Sequence, residues 1–238
     1  MSAGGRVPVI VTVSHFSTDI VEARARAAQA MGADMVMMMP PYHGFGLVPA
    51  EVGIFEHFKA VSDAITIPIM VQDAPISGCQ LSVPLLVRMA RELEQVSYFK
   101  MEMPFAADKL AALIEAGGAD ILGPFDGEEA VTLLADLDAG CTGTMTSALL
   151  PEQIRPIVTQ YRAGNTDAAL AQWTRCLPLI NHENRQCGLR AAKTVMKEGG
   201  VSRSDHVRHP LKPMSPRTRA RLLRLAGDLD LMALRWDR

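Results

Sequence analysis

The chain has 238 residues, with 24 Lys+Arg against 26 Asp+Glu and a formal net charge of −2. A balance so near neutral offers no electrostatic footprint for nucleic acid or an anionic membrane surface. Hydrophobic residues at 48% and charged residues at 21% are ordinary globular values, which supply a sizeable core and exclude disorder.

The first apolar run, residues 7–13, is interrupted by Pro8 and Thr12 and has no convincing leader cleavage site after it. It reads as a strand of a cytoplasmic protein. The next run, 35–39, is far shorter than the ~20 residues of a membrane span and meets Pro40 and Pro41. Further apolar runs at 67–72, 98–101, 121–123 and 142–146 alternate with amphipathic stretches, the pattern of repeated strand–helix units on a parallel sheet. Helix punctuation agrees: Ser17, Thr18 and Asp19 with Glu22 open one helix and Gly32 ends it. Ser82 with Pro84 opens another, whose Leu86, Met89, Ala90 and Leu93 share a face. Gly32-Ala33-Asp34 reappears as Gly118-Ala119-Asp120, and Gly140 stands in the same place before 142–146, each marking a helix end that feeds a strand. Prolines at 40, 75, 104 and 124 interrupt the chain at the strands' carboxyl ends, the face where parallel α/β proteins place their chemistry.

From Asn165 the pattern is helical: 167–179, 183–197, a polar link at 201–216, and 217–226. The chain therefore divides into a β/α domain over 1–164 and a helical extension over 165–238. Arg217, Arg219, Arg221 and Arg224 read as a solvated helix face. Cys79, Cys141, Cys176 and Cys187 form no CxxC pair and read as reduced, buried thiols. The six histidines lack HxH or HExxH spacing and no phosphate-binding glycine motif occurs, so neither a metal nor a nucleotide is called for. Asp126, Gly127 and Glu128 follow a strand and read as the acidic first turn of a helix.

Residues 96–102 are the most informative candidate for chemistry, a strand with a lysine in apolar company. Side chains alternate along a strand, so Tyr98, Lys100 and Glu102 share one face while Phe99 and Met101 point to the other. A desolvated amine beside a carboxylate suits a Schiff-base nucleophile. The same pair is also compatible with a purely structural role.

The segments Met39-Pro-Pro-Tyr-His43, His57-Phe-Lys59, Ile69-Met-Val-Gln-Asp-Ala-Pro75, Tyr98-Phe-Lys100, Asp126-Gly-Glu128, Ala192-Lys-Thr-Val-Met-Lys-Glu-Gly-Gly200 and Arg208-His-Pro210 resemble the dihydrodipicolinate synthase / N-acetylneuraminate lyase superfamily of class I aldolases. The likeness covers nearly the whole chain. It narrows to the L-2-keto-3-deoxyarabonate dehydratase branch through 38–44, Gln72-Asp-Ala-Pro75, Phe99-Lys-Met-Glu102, 177–181 and Glu183-Asn-Arg-Gln-Cys187. The resemblance implies a TIM (β/α)8-type barrel with its Schiff-base lysine on the sixth family strand, here Lys100 on the fourth. It also implies a homo-oligomer, tetramer or dimer, acting on a small 2-keto acid. Residues 7–13 match the third family strand, so the resemblance implies an N-terminally truncated barrel of about six strands, lacking two strand–helix units.

Most superfamily members carry a relay tyrosine where this chain has Gln72, and the arginine that often follows that strand is absent from Pro75-Ile-Ser-Gly78. The resemblance then implies Lys100 and Glu102 as the catalytic residues, with Tyr42, His43, Gln72 and Thr144 as substrate ligands. The reaction implied is loss of water from a 2-keto-3-deoxy sugar acid through an iminium, with no metal or organic cofactor. Two alternatives remain open: a pyruvate-dependent aldolase on the same scaffold, and an inactive truncated barrel.

Overall fold

The computed structural model describes residues 4–42 and 48–237. In chain order its strands and helices are β1 (Ile10–Thr12), α1 (Thr18–Ala30), β2 (Met35–Met38), α2 (Glu51–Ala64), β3 (Ile69–Asp73), α3 (Val83–Glu92), β4 (Val96–Met101), α4 (Ala106–Gly117), β5 (Leu122–Asp126), α5 (Leu133–Asp138), β6 (Gly143–Thr144), α6 (Pro151–Arg162), α7 (Thr166–His182), α8 (Arg190–Glu198) and α9 (Pro216–Asp228). The six strands form one sheet in the order β1-β2-β3-β4-β5-β6, and the registered pairs from β1 to β5 are all parallel. Sequential order without a reversal is the winding of a (β/α) barrel, not of a doubly wound sheet. This is the six-strand β/α architecture, with C-terminal helices, that the sequence pattern implies.

The chain forms two compact units, residues 1–127 with 138–143, and residues 128–137 with 144–238. In the first, the helix-facing side of the sheet is the core: Val36, Met38, Ile69, Val71, Phe99 and Met101 are fully buried. Against them lie Phe58 and Val61 of α2, Leu86 and Met89 of α3, and Leu110 and Leu113 of α4, all likewise buried. Burial of side chains this size contributes about 1.5–3 kcal/mol each. The Ser82 hydroxyl accepts the Leu85 N–H at 3.2 Å and starts α3 where the sequence places its cap. Gly32, Gly118 and Gly140, the repeated glycines before β2, β5 and β6, all take positive φ (84°, 53° and 97°). A side chain at any of them would strain the turn from helix to strand.

His57 of α2 is buried, with Nδ1 2.9 Å from the Thr18 hydroxyl and Nε2 lacking a hydrogen-bond partner among the described residues. Burial lowers its pKa from 6.5 to about 4, so the imidazole stays neutral in the folded protein through mildly acidic pH.

In the second unit, α6 and α7 pack as a pair, joined by Gln172 Nε2 donating to Gln153 Oε1 at 2.8 Å. The sequence predicts one helix over 183–197. Instead Glu183–Cys187 forms a π-helical turn, Gly188 takes φ 58°, and the helix restarts at Arg190. The cause is Gly188, whose backbone leaves the helical region in a direction that side chains resist. Glu183 is buried and its carboxyl accepts from the Ser147 hydroxyl at 2.6 Å. Burial pushes its pKa up to about 7, against the Ser147 hydrogen bond and with the help of nearby Glu129. Arg217, Arg221 and Arg224 are exposed and Arg219 pairs with Glu198, a solvated face. Among the described residues no helix is long and apolar enough to cross a membrane, and all four cysteines are buried and in no disulfide.

Two buried groups tilt the pH dependence of stability in opposite directions. The unfolded chain takes up the His57 proton near pH 6.5 whereas the folded chain resists until about 4. Stability from this group is therefore full above pH 6.5 and lost on acidification, by about 3 kcal/mol over the whole interval. Glu183 has the reverse sign: the folded chain keeps its proton to about pH 7 while the unfolded carboxyl loses it near 4.5, so stability is lost as pH rises between them. Urea unfolding at pH 4.5, 5.5 and 7.5 is expected to show the acid-side loss removed in His57→Gln and the rise-side loss removed in Glu183→Gln.

Candidate active site

Lys100 is the last residue but one of β4, in register with Gln72 on β3 and Phe125 on β5. Its side chain is 9% exposed and is paired with Glu102 Oε1. Glu102 lies one residue past β4, yet its backbone continues the ladder: its N–H donates to Asp73 O at 2.8 Å. On the other side, the Gly127 N–H donates to Met101 O at 2.8 Å. The Gln72 amide Nε2 donates to both Glu102 carboxylate oxygens, at 3.1 and 3.2 Å. Gln72, Lys100 and Glu102 therefore form one polar group on one face of the sheet, while Phe99 and Met101 on the other face are fully buried among helices. The alternation read from the sequence puts both charged groups on that face.

Gly127 makes this arrangement possible. A Cβ built there would lie 2.3 Å from Glu102 Cγ, 2.8 Å from Met101 O and 3.0 Å from Lys100 Cγ. The two side chains run across the glycine, so the residue after β5 acts as floor for the site. On the helix side of the same strand ends, Asp73 is wholly buried and its Oδ2 meets Lys109 Nζ of α4 at 2.5 Å. Burial raises the Asp73 pKa above the ordinary carboxylate range; the Lys109 hydrogen bond and charge and the Leu81 backbone N–H oppose this, and the nearby Glu102 charge adds to it.

The remaining sequence-predicted residues fall as follows. Tyr42 is half-buried in the segment after β2, and no hydrogen bond among the described residues joins it to Gln72, Lys100 or Glu102. Thr144 ends β6 in the second unit, and its buried hydroxyl has no hydrogen-bond partner among the described residues. His43 lies outside the described residues. Gln72, read from the sequence as a substrate ligand, is directed at Glu102. No group of three His, Cys, Asp or Glu side chains among the described residues is placed to hold a metal ion.

The sequentially wound parallel strands that carry this polar row agree in fold with known proteins of similar sequence. The model of the dihydrodipicolinate synthetase family matches residues 1–227. The chain belongs to that family. It is 59% identical to L-2-keto-3-deoxyarabonate dehydratase of Azospirillum brasilense over 232 residues, 98% of this chain and 75% of the relative. It is 30% identical to 4-hydroxy-tetrahydrodipicolinate synthase 1 of Halalkalibacterium halodurans over 217 residues, 90% of this chain and 71% of the relative. The crystal structure of dihydrodipicolinate synthase from Aquifex aeolicus superposes with a TM-score of 0.87 at 23% identity, covering 96% of this chain and 77% of that one, a likeness of fold.

Within this dihydrodipicolinate synthetase family member, sequence reasoning left Asp73, Lys109 and Gly127 without a role at the site. Asp73 stands inside a motif already noted, but only the sheet register shows that its carbonyl meets Glu102. A glycine after a strand reads as a turn, and nothing local reveals the two side chains lying over it. Gly127→Ala is expected to be destabilised by about 1–3 kcal/mol, the range for overpacking, and to lose turnover at temperatures where it remains folded. Thermal melts and steady-state kinetics on the same preparation check both parts.

Proposed function

We propose that this family member is a Schiff-base dehydratase acting on a 2-keto-3-deoxy sugar acid, with L-2-keto-3-deoxyarabonate as the substrate. The 59% identity to the Azospirillum brasilense enzyme over 98% of the chain carries the substrate assignment. The contact of Lys100 with Glu102 supports the assignment of roles.

The Lys100 amine, its ammonium proton lost to water, attacks the C2 ketone; the carbinolamine hydroxyl leaves as water with a proton from solvent and gives a protonated imine, with Glu102 still a carboxylate. The iminium draws electron density from C3, and the Glu102 carboxylate takes a C3 proton to leave an enamine. The enamine pushes out the C4 hydroxyl, which departs as water with a proton returned by Glu102. Tautomerisation of the resulting unsaturated system moves a C5 proton to C3 and the C5 hydroxyl proton to C4, which turns C5 into an aldehyde. Hydrolysis of the imine then restores Lys100 and releases 2-oxoglutarate semialdehyde. One water is lost from the sugar acid overall, and no electron leaves the system. The iminium itself serves as electron sink, so the sequence assigns no metal or organic cofactor to the reaction. Gln72 holds the Glu102 carboxylate by both oxygens, where an aldolase of this superfamily would carry its relay tyrosine. Tyr42, His43 and Thr144 keep the role of ligands to the substrate hydroxyls. Residues 165–238 are read as the helical extension through which a cytoplasmic homodimer or tetramer assembles.

Incubation with L-2-keto-3-deoxyarabonate and borohydride, followed by peptide mapping, is expected to leave a reduced adduct on Lys100, absent from Lys100→Ala with an unchanged circular-dichroism spectrum. Glu102→Gln is expected to keep the adduct and lose about 10²–10⁴-fold in kcat, the range for a general acid–base group. Pyruvate and an aldehyde among the products would instead identify an aldolase, and an adduct-free, well-folded protein would overturn the Schiff-base reading.

A further inference from the structure

The entry into α4 gathers several unfavourable features beside Glu102. Phe105, the residue before the helix, takes φ 64° and ψ 34°, a left-handed conformation costly for a bulky side chain, and is 86% exposed. No side chain caps the helix. Lys109 lies in its opening turns, where a cation opposes the helix dipole. Its partner Asp73 is wholly buried. A buried ion pair seldom improves stability over apolar packing, so stability alone gives no reason for this cluster.

The connections of Asp73 supply one. Its backbone carbonyl accepts the Glu102 N–H at 2.8 Å, and its side chain holds Lys109 at 2.5 Å. One residue therefore ties down both ends of the segment from Glu102 to Lys109, which contains the strained Phe105. The residue before it, Gln72, reaches across the opposite face of the sheet to both Glu102 oxygens. The Gln72-Asp73 dipeptide grips Glu102 from two sides, by side chain on one face and by backbone and ion pair on the other.

We infer that the Asp73–Lys109 pair is a positioning clamp for Glu102, fixing its carboxylate where it exchanges a proton with C3 of the Lys100 adduct. The inference rests on the proton-carrier role of Glu102 proposed above. Asp73 and Lys109 act through the backbone and do not touch substrate. Loss of the clamp leaves the amine of Lys100 in place on β4 and moves the carboxylate, so formation of the imine and abstraction of the proton separate.

Pyruvate, the smallest 2-keto acid, reads the two steps independently. Borohydride trapping on Lys100 reports the imine, and loss of the methyl signal in D₂O, followed by proton NMR, reports the C3 proton transfer. Lys109→Gln is expected to trap pyruvate to the wild-type extent yet exchange its methyl protons about ten- to a hundred-fold more slowly, the range for a misplacement of about 1 Å. Lys109→Arg, which restores the cation, is expected to recover most of the rate. Lys109→Gln leaves Asp73 buried without its partner and can fail to fold; the neutral Asp73→Asn/Lys109→Gln pair is then the variant measured, with the same expectation. Glu102→Gln sets the floor. Wild-type exchange in the clamp variants with Glu102→Gln slow overturns the clamp alone. Wild-type exchange in Glu102→Gln overturns the proton-carrier role and the clamp with it. Parallel loss of adduct and exchange in a folded clamp variant makes the pair a support of the whole strand end and overturns the clamp as well.

Discussion

The contact between Lys100 and Glu102 organises the polar face of the sheet and the reaction proposed for it. Two opposite charges on neighbouring outward positions of one strand are ordinary on a solvated sheet, where they contribute little. Here the lysine side chain is 9% exposed and the glutamate 19%, so each depends on the other, and Glu102 also on the Gln72 amide, for satisfaction of its polar atoms. The environment serves reaction more than stability. In the proposed reaction a carboxylate already in contact with the amine is in place for the proton that the iminium releases.

Everything around the pair keeps it in one geometry. The ladder extends a residue past β4, so that Glu102 is held by Asp73 on one side while Met101 is held by Gly127 on the other. The missing Cβ of Gly127 leaves space for the two side chains. On the far face, fully buried Val71, Phe99 and Met101 anchor the strands to the helices, and interiors packed to this density do not deform gradually. The polar face can therefore carry a chemically demanding group because the apolar face makes the strand positions rigid.

Replacement of the superfamily's relay tyrosine by Gln72 fits this picture. A glutamine cannot relay a proton at neutral pH, since its amide neither gains nor loses one readily. It can hold a carboxylate by both oxygens, as it does here. In the proposed reaction the proton-carrying task and the holding task fall to two residues, Glu102 just past β4 and Gln72 on β3, and dehydration needs a base mobile in protonation but fixed in place.

Much of this was legible in the residues themselves. Apolar runs separated by capped amphipathic stretches specify parallel strand–helix units, because each strand must bury a face and each helix a stripe. The repeated Gly-Ala-Asp punctuation marked turns whose glycines do take positive φ. Period-two alternation sufficed to put Lys100 and Glu102 on one face, since that periodicity is a property of the strand alone. The break at Gly188 was less visible, because a glycine inside a helical pattern is tolerated as often as it ends one. The tertiary structure alone decided that Gln72 faces Glu102, that the Gly127 backbone underlies both charged side chains and that Asp73 reaches Lys109. These relations join residues from 25 to 36 positions apart, and they depend on strand register and on how closely backbones approach; a one-residue slip in register would reverse each of them without altering any local preference.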